Sequence, residues 1–220
     1  VRIDWRDLKE LEFRGLTDEA TDHYVSKIFG NSLYFHPRLT KLAWGYFSSN
    51  WVEFRGKGLT SKVARKISES VAGEYDDLLL EPFIGGQQTI YVRTKDARGI
   101  RLGDLGDGFQ VMVTLMLLYE FVLPKMLLVD DVESHMNPLL LHLFTSWLSE
   151  VLRDGTRVVM STHSLEVVKF IAEALEDYKP QITILSLRDG KLSSRNITLD
   201  DVDKLEKVGI DVRKSEGLLI

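Results

Sequence analysis

Two short apolar runs of this chain each end in polar residues whose types suit phosphate or metal chemistry. Asp130 and Asp131 follow the run Met126–Val129, and Ser-Thr-His163-Ser follows Arg157–Met160. Because ligands of open α/β sheets bind at the carboxyl ends of strands, we expect both sets at one sheet edge. Each set alone has a simpler explanation, since aspartates cap turns and histidines cap helices or fill cores. Their occurrence one helix apart favours a shared site.

Paired carboxylates at such an edge could support hydrolysis of a phosphoanhydride. Asp130 would then hold Mg²⁺, directly or through water, while Asp131 would orient and deprotonate the attacking water. A neutral His163 could donate a hydrogen bond to a γ-phosphate or to the same water. These roles predict a magnesium-dependent enzyme.

A glycine-containing loop precedes the longest apolar segment. Its residues are Leu105, Gly106, Asp107 and Gly108, and the helix that we predict after it covers about residues 109–123. The free amides and the dipole of a helix N-terminus favour an anion. A plain turn with glycines at positive φ is the alternative for this loop alone.

The surrounding pattern predicts the elements that would hold these groups. The two apolar runs predict parallel strands buried on both faces, and Asn137 followed by Pro predicts the start of the helix between them. Upstream, residues 77–94 alternate like two strands around the hairpin turn Gly85-Gly86, and residues 100–102 predict a third strand. The order therefore indicates a small antiparallel sheet followed by an α/β lobe.

Composition excludes several classes of protein. The 220 residues are 44% hydrophobic, which is enough for a sizeable core, and the net charge of −5 gives no global basic field for nucleic acid. There is no cysteine, and no apolar run is long enough to cross a bilayer. We expect a soluble cytoplasmic protein. Because the chain begins with Val1 and has no signal-like segment, we expect a fragment or a processed product.

The three motifs together resemble the ATP-binding-cassette type of P-loop ATPase, and more narrowly its SMC-like and OLD-like branch, which is often labelled AAA-type. The signature of that branch resembles Leu-Gly-Asp-Leu-Gly-Asp-Gly-Phe-Gln at 102–110. Its Walker B and D-loop resemble Leu-Leu-Val-Asp-Asp-Val-Glu-Ser-His-Met-Asn-Pro at 127–138, and its switch histidine resembles Ser-Thr-His-Ser at 161–164. The resemblance covers about residues 76–213.

The resemblance implies a role for each matching residue. Asp130 would be the Walker B acid associated with Mg²⁺, Asp131 the catalytic carboxylate and His163 the switch histidine. Residues 105–108 would contact the γ-phosphate of ATP held by the opposite subunit of a head-to-tail dimer, and Asn137 would stand in the D-loop. The implied function is ATP binding and hydrolysis that drives a process of an unidentified DNA or protein partner.

Three departures from the family pattern bear on that function. Asp131 replaces the usual Glu and is one methylene shorter, so hydrolysis could be slow. Gly103 replaces the signature Ser and removes a hydroxyl donor. No G-x-x-x-x-G-K-[ST] Walker A motif occurs, and we interpret Gly56-Lys-Gly-Leu-Thr-Ser as a turn. We therefore expect a P-loop-bearing N-terminal part of the same protein to complete the enzyme.

The predicted fold class is α/β, a parallel-sheet lobe like that of P-loop NTPases with flanking helices, plus a small antiparallel sheet and an N-terminal helical segment. We divide the chain into a helical, aromatic-rich segment at 1–75, with a helix beginning near Thr17, and the ATPase lobe at 76–220. A degenerate module that binds ATP without hydrolysing it is the alternative function. A nuclease with metal ligands Asp130, Asp131, Glu133 and His135 is a more remote one.

Overall fold

A computed structural model describes residues 31–70, 74–86, 88–188, 191–209 and 211 of the chain. The helix predicted near Thr17 lies outside these residues. The chain divides into two compact units, Val1–His163 and Ser164–Ile220, which are described separately. No helix within the described ranges is long and apolar enough to cross a membrane.

The first unit contains a parallel sheet in the order β1-β5-β6, formed by Ser32–Phe35, Met126–Val129 and Arg157–Met160. β5 is therefore the central strand, as predicted. The sequence did not predict β1, a four-residue strand that lies in the segment expected to be helical.

The two faces of this sheet differ in burial, which the sequence did not predict. On one face Leu33, Phe35, Leu127 and Val129 are buried. On the other, Tyr34, Leu128 and Val159 share one register row, and the outer two are 44% and 55% exposed. Burial of β5 and β6 on both faces is thus wrong for this part of the chain.

Helix α3, Asp107–Val122, is the core of the first unit. Nearly every side chain from Phe109 to Glu120 is buried, because other helices surround α3. These are α1 (Thr40–Gly56), α2 (Leu59–Ser70) and α4 (Pro138–Arg153). The α1 aromatic residues pack inward, as the stacked rings of Phe54 and Phe121 show at 4.5 Å between centroids. The buried Glu120 carboxylate pairs with Lys62 of α2, which satisfies its charge.

The small antiparallel sheet has the order β2-β3-β4, formed by Tyr75–Pro82, Gln88–Thr94 and Gly99–Arg101. The turn at Gly85 between β2 and β3 has φ +75°, which glycine adopts without strain, so the predicted hairpin is confirmed. A short turn at 57–58 separates α1 from α2, so the turn predicted over Gly56–Ser61 is confined to these two residues, and Leu59–Ser61 already belong to α2.

The second unit consists of α5 (Leu165–Ala174), the hairpin of β7 (Ile182–Arg188) and β8 (Lys191–Ile197), and α6 (Leu199–Lys207). Thr198 and Asp201 form a capping box at the N-terminus of α6. A small cluster around the buried Val202 joins α6 to the hairpin.

Candidate functional site

The polar groups that follow β5 and β6 meet at the carboxyl end of the parallel sheet. The Ser161 hydroxyl donates a hydrogen bond to Asp130 Oδ1 and accepts one from the Asp131 amide at 3.1 Å. The main chains are also joined, because the Val132 amide donates to the Ser161 carbonyl at 3.1 Å. Two motifs about 30 residues apart in sequence therefore form one hydrogen-bonded site, as their strand-end positions predicted.

Strand β1 contributes a third group, which the sequence analysis missed. The Tyr34 hydroxyl donates to Asp130 Oδ2 at 3.0 Å, while the Asp130 amide donates to the Phe35 carbonyl at 2.9 Å. His36 follows directly, and its Nδ1 accepts from the Arg38 amide at 3.0 Å. His36 was not among the predicted site residues, although a polar residue after an apolar run was the same signal that identified Asp130.

The Asp130 carboxylate is stabilised in its ionised form. Its pKa lies below the ordinary value, chiefly because the Ser161 hydroxyl donates to it and also because Tyr34 donates to it. Burial opposes this shift. In turn, burial and the neighbouring Asp130 raise the pKa of the Tyr34 hydroxyl, so Tyr34 is the donor of the pair.

Such a carboxylate fits the hard, oxygen-preferring Mg²⁺. Each carboxylate oxygen of Asp130 has one hydroxyl donor, which leaves a second lone pair on each for a metal-bound water. Among the described residues, no group of three or more His, Cys, Asp and Glu side chains is arranged to hold a metal. Asp130, Asp131, Glu133 and His135 are therefore not gathered into the metal cluster of the nuclease alternative.

Asp131 has an unusual backbone conformation that turns its side chain into its own loop. Its φ is +57°, in the left-handed region that Asp and Asn tolerate better than most residues. Its Oδ2 accepts a hydrogen bond from the Ser134 hydroxyl at 2.8 Å, and its carbonyl accepts from the Ser134 amide at 3.0 Å. The side chain is half-buried, so its other oxygen keeps access to solvent.

His163 has an exposed side chain and a main chain that is held from the neighbouring loop. Its amide donates to Glu133 Oε1 at 2.7 Å. The second oxygen of Glu133, Oε2, is buried without a hydrogen-bond partner. The sequence analysis considered Glu133 only as a nuclease ligand, and no spacing rule would have paired it with a residue 30 positions away.

The signature-like loop forms a tight turn before α3. A short 3-10 helix covers Leu102–Leu105, and Gly106 then adopts φ +101° and ψ +161°, a region open essentially to glycine alone. Gly106 and Asp107 are exposed, and no side chain caps the N-terminus of α3. Of the first residues of α3, Asp107 is exposed, whereas Gly108 and Phe109 are buried, and the Gly106 amide donates to the Gly103 carbonyl at 3.4 Å.

Gly108 places this loop against the segment that follows β5. A Cβ atom at Gly108 would lie 2.1 Å from the His135 carbonyl oxygen and 2.7 Å from Leu140 Cδ1, so only glycine fits. His135 itself has φ +65°. Asn137 is the N-cap of α4, since its side chain accepts a hydrogen bond from the Leu140 amide at 2.9 Å. The structure thus brings Gly108 beside the loop that carries Asp131 and Asn137.

The chain was compared with protein families and with solved structures. The family described as "AAA domain, putative AbiEii toxin, Type IV TA system" matches residues 12–169, more than half of the chain. No curated protein sequence is similar enough to count as a relative.

Two solved structures of low sequence identity illustrate the fold. One, from a study of ATP-driven dimerization and DNA-stimulated activation of SMC ATPases, is 14% identical with a TM-score of 0.54; the match covers 73% of this chain and 97% of that one. An Smc head domain with a coiled coil and joint from Pyrococcus yayanosii is 13% identical with a TM-score of 0.50, over 70% of this chain and 29% of that one. The fold is like that of these SMC ATPase structures, and the chain belongs to the AAA domain family named above.

Proposed function

We propose that the chain is the C-terminal lobe of an ATPase that binds and hydrolyses MgATP in a head-to-tail dimer. The observation that carries this proposal is the hydrogen bond from Ser161 to Asp130, which joins the Walker B-like and switch-like strand ends into one site. The fold agrees with it, because β5 and β6 are adjacent and parallel.

The metal-associated role falls to Asp130. Tyr34 and Ser161 hold its carboxylate in place and ionised, so it is ready to accept hydrogen bonds from metal-bound water. When bound, Mg²⁺ would neutralise phosphate charge and stabilise the leaving oxygen.

The water-activating role falls to Asp131. Its backbone is fixed by Ser161 and Ser134, which leaves one carboxylate oxygen to orient and deprotonate a water. His163, with its exposed imidazole one strand away, would donate to the γ-phosphate or to that water. Neither Leu105 nor Gly106–Gly108 is needed for these steps within one protomer. We assign them, with Asn137 beside them, to the ATP held by the opposite protomer.

The Walker A loop would come from a P-loop-bearing part outside this sequence. Supporting this, β6 is an edge strand among the described strands, and Val159 on it is 55% exposed. Parallel sheets are ordinarily covered on both faces and paired at their central strands. A further strand and helix would satisfy both requirements.

The test compares this chain alone with this chain joined to the P-loop-bearing part. Calorimetric titration of MgATP is expected to give no binding to the chain alone, because the main phosphate cradle is missing, and binding to the joined protein. Steady-state assays of the joined protein are expected to show ATP hydrolysis that requires Mg²⁺. An Asp130→Asn variant is the control, and it should lose the Mg²⁺-dependent part of binding. Absence of turnover in correctly folded joined protein would contradict the proposal.

A non-hydrolysing assembly module is the second candidate function. The observation that favours it is the bond from Ser134 to the short Asp131 side chain, which draws that carboxylate into its own loop. In that case the joined protein would bind MgATP and dimerise but release no phosphate.

A further inference from the structure

We propose that Glu133 is a positioning residue that fixes the main chain of His163 at the edge of the sheet. The proposal rests on the proposed function, because it assigns a task in the same nucleotide site. The contact that carries it is the 2.7 Å hydrogen bond from the His163 amide to Glu133 Oε1.

The segment 161–163 is hydrogen-bonded at its first and at its last residue. Its first residue is held at the sheet, since the Ser161 amide donates to the Val129 carbonyl at 2.9 Å and its hydroxyl bonds Asp130. Beyond Ser161 the strand has ended, and sheet pairing no longer fixes the chain. Two residues further on, the Glu133 carboxylate accepts a hydrogen bond from the His163 amide.

The loop that carries Glu133 is itself held in shape. Two consecutive turns form it, with the Ser134 amide bonded to the Asp131 carbonyl at 3.0 Å and the Met136 amide bonded to the Glu133 carbonyl at 3.1 Å. The packing of His135 against Gly108 fixes its far side. Glu133 therefore projects from a loop whose main chain is hydrogen-bonded and packed, and its carboxylate sets the position of the His163 amide.

The burial of the second carboxylate oxygen indicates that Glu133 has a role other than stabilising the fold. Glu133 Oε2 is buried with no hydrogen-bond partner. Burying a carboxylate oxygen without a donor is costly, and an apolar side chain would remove that cost. The same burial keeps this oxygen from reaching a lytic water, so Glu133 acts through His163 and does not replace Asp131 as the base.

Three substitutions distinguish the effect of the length of the Glu133 side chain from the effect of its charge. Glu133→Gln keeps the length and one acceptor oxygen, Glu133→Asp keeps the charge but is one methylene too short, and Glu133→Ala removes both. If Glu133 positions His163 by a hydrogen bond, the Gln variant should resemble the wild type and the Asp variant should resemble the Ala variant. A role of the charge alone would give the opposite order. Glu69→Ala, at an exposed glutamate of α2, is the control for loss of a surface carboxylate.

The first measurement is amide hydrogen exchange of this chain by NMR. The His163 amide should exchange about tenfold faster or more in the Asp and Ala variants, while the Gln variant stays close to wild type. The Ser161 amide, which bonds the sheet, should be unchanged in all of them and serves as the internal reference. Equal acceleration at Ser161 and His163 would mean that the whole loop has loosened, and that result would overturn the proposal.

The second measurement is turnover of the chain joined to its P-loop-bearing part. The Asp and Ala variants should lose about 10-fold to 100-fold in kcat with little change in KM, as is typical when a supporting hydrogen bond to a functional group is removed. Unchanged kcat in all three variants of an active enzyme would make Glu133 merely structural and overturn the proposal. If the wild type is inactive, the proposed function fails, and the exchange data alone decide whether Glu133 holds His163.

Discussion

Asp130 carries its charge because two hydroxyl groups from neighbouring strands support it. Since folding lowers its pKa, the ionised carboxylate stabilises the folded state above the ordinary carboxyl range, and this contribution is lost as pH falls through the lowered pKa. Ser161→Ala removes the largest cause of the shift. We expect the pKa of Asp130 to rise toward its ordinary value, as measured by ¹³C NMR titration of the carboxyl group.

The same variant should have a pH-dependent effect on stability. Its destabilisation should be greatest near neutral pH and should shrink as pH falls through the range in which Asp130 titrates, as followed by denaturant unfolding. Ser48→Ala, which removes an exposed serine hydroxyl bonded to a helix carbonyl, is the matched control and should show no such dependence. An unchanged titration of Asp130 in Ser161→Ala would contradict the importance of this contact.

Asp131→Asn tests the base without disturbing the loop. Asn tolerates the left-handed backbone at this position and keeps an oxygen for the Ser134 hydroxyl. We expect turnover of the joined protein to fall by about 100-fold or more, because an amide cannot accept the proton. Nucleotide-driven association should remain and can be measured by light scattering.

Asp154→Asn, at an exposed aspartate that ends α4, is the control for the loss of one carboxylate and should retain full turnover. Undiminished hydrolysis by Asp131→Asn would remove Asp131 from the role of base.

At the scale of single residues, the site groups that directly follow strands could be predicted from the sequence. The residues that contact them from within a strand or a loop could not. Asp130 and His163 were predicted at one edge because each follows an apolar run, and the bond between Ser161 and Asp130 confirms that the two strand ends meet. Tyr34 lies within a strand, and Glu133 lies within a loop, so neither has a positional signal in the sequence. Their contacts span 96 and 30 residues and depend on the folded sheet.

The contact between the signature-like loop and the loop after β5 can be tested at the scale of elements. Gly108→Ala would place a Cβ within 2.1 Å of the His135 carbonyl oxygen, so the N-terminus of α3 and that loop must separate. We expect a loss of about 1–3 kcal/mol in the free energy of unfolding, as in other overpacked sites. Denaturant unfolding monitored by circular dichroism would measure it.

Gly45→Ala in α1 is the matched control for that substitution. A Cβ at this position meets nothing within 4 Å, and the residue lies in a helix interior. Alanine should therefore stabilise the protein slightly, by about 0.5–1 kcal/mol. If Gly108→Ala were as harmless as Gly45→Ala, the close approach of the two loops would be wrong.

Most elements near the site could be predicted because their signals are local. Apolar runs of four residues located β5 and β6, and the pair Asn137-Pro138 located the start of α4 to the residue. Strand β1 was not predicted, because four residues before a His-Pro pair carry little pattern and its pairing partner is about 90 residues away. The exposed face of the sheet was also unpredictable, since burial of a strand depends on what packs over it.

At the scale of the whole molecule, the proposed head-to-tail dimer would require each site to use two protomers. Asp131 and His163 would act on one ATP, while the loop at Gly106 would act on the ATP of the partner protomer. A protomer with Asp131→Asn and a protomer with Gly106→Val therefore carry defects in different halves of a site. A Cβ at Gly106 would meet nothing within 4 Å, but a β-branched side chain is incompatible with φ +101°, so the strain of Gly106→Val falls on the loop itself.

Mixing the two inactive proteins should therefore restore activity. Random exchange makes half of the dimers mixed, and each mixed dimer has one site with both halves intact, so we expect about a quarter of wild-type turnover. The assay is phosphate release by the joined proteins after subunit exchange, with each variant alone as its control. If both halves of a site came from one protomer, each mixed dimer would contain two damaged sites, and mixing would restore nothing.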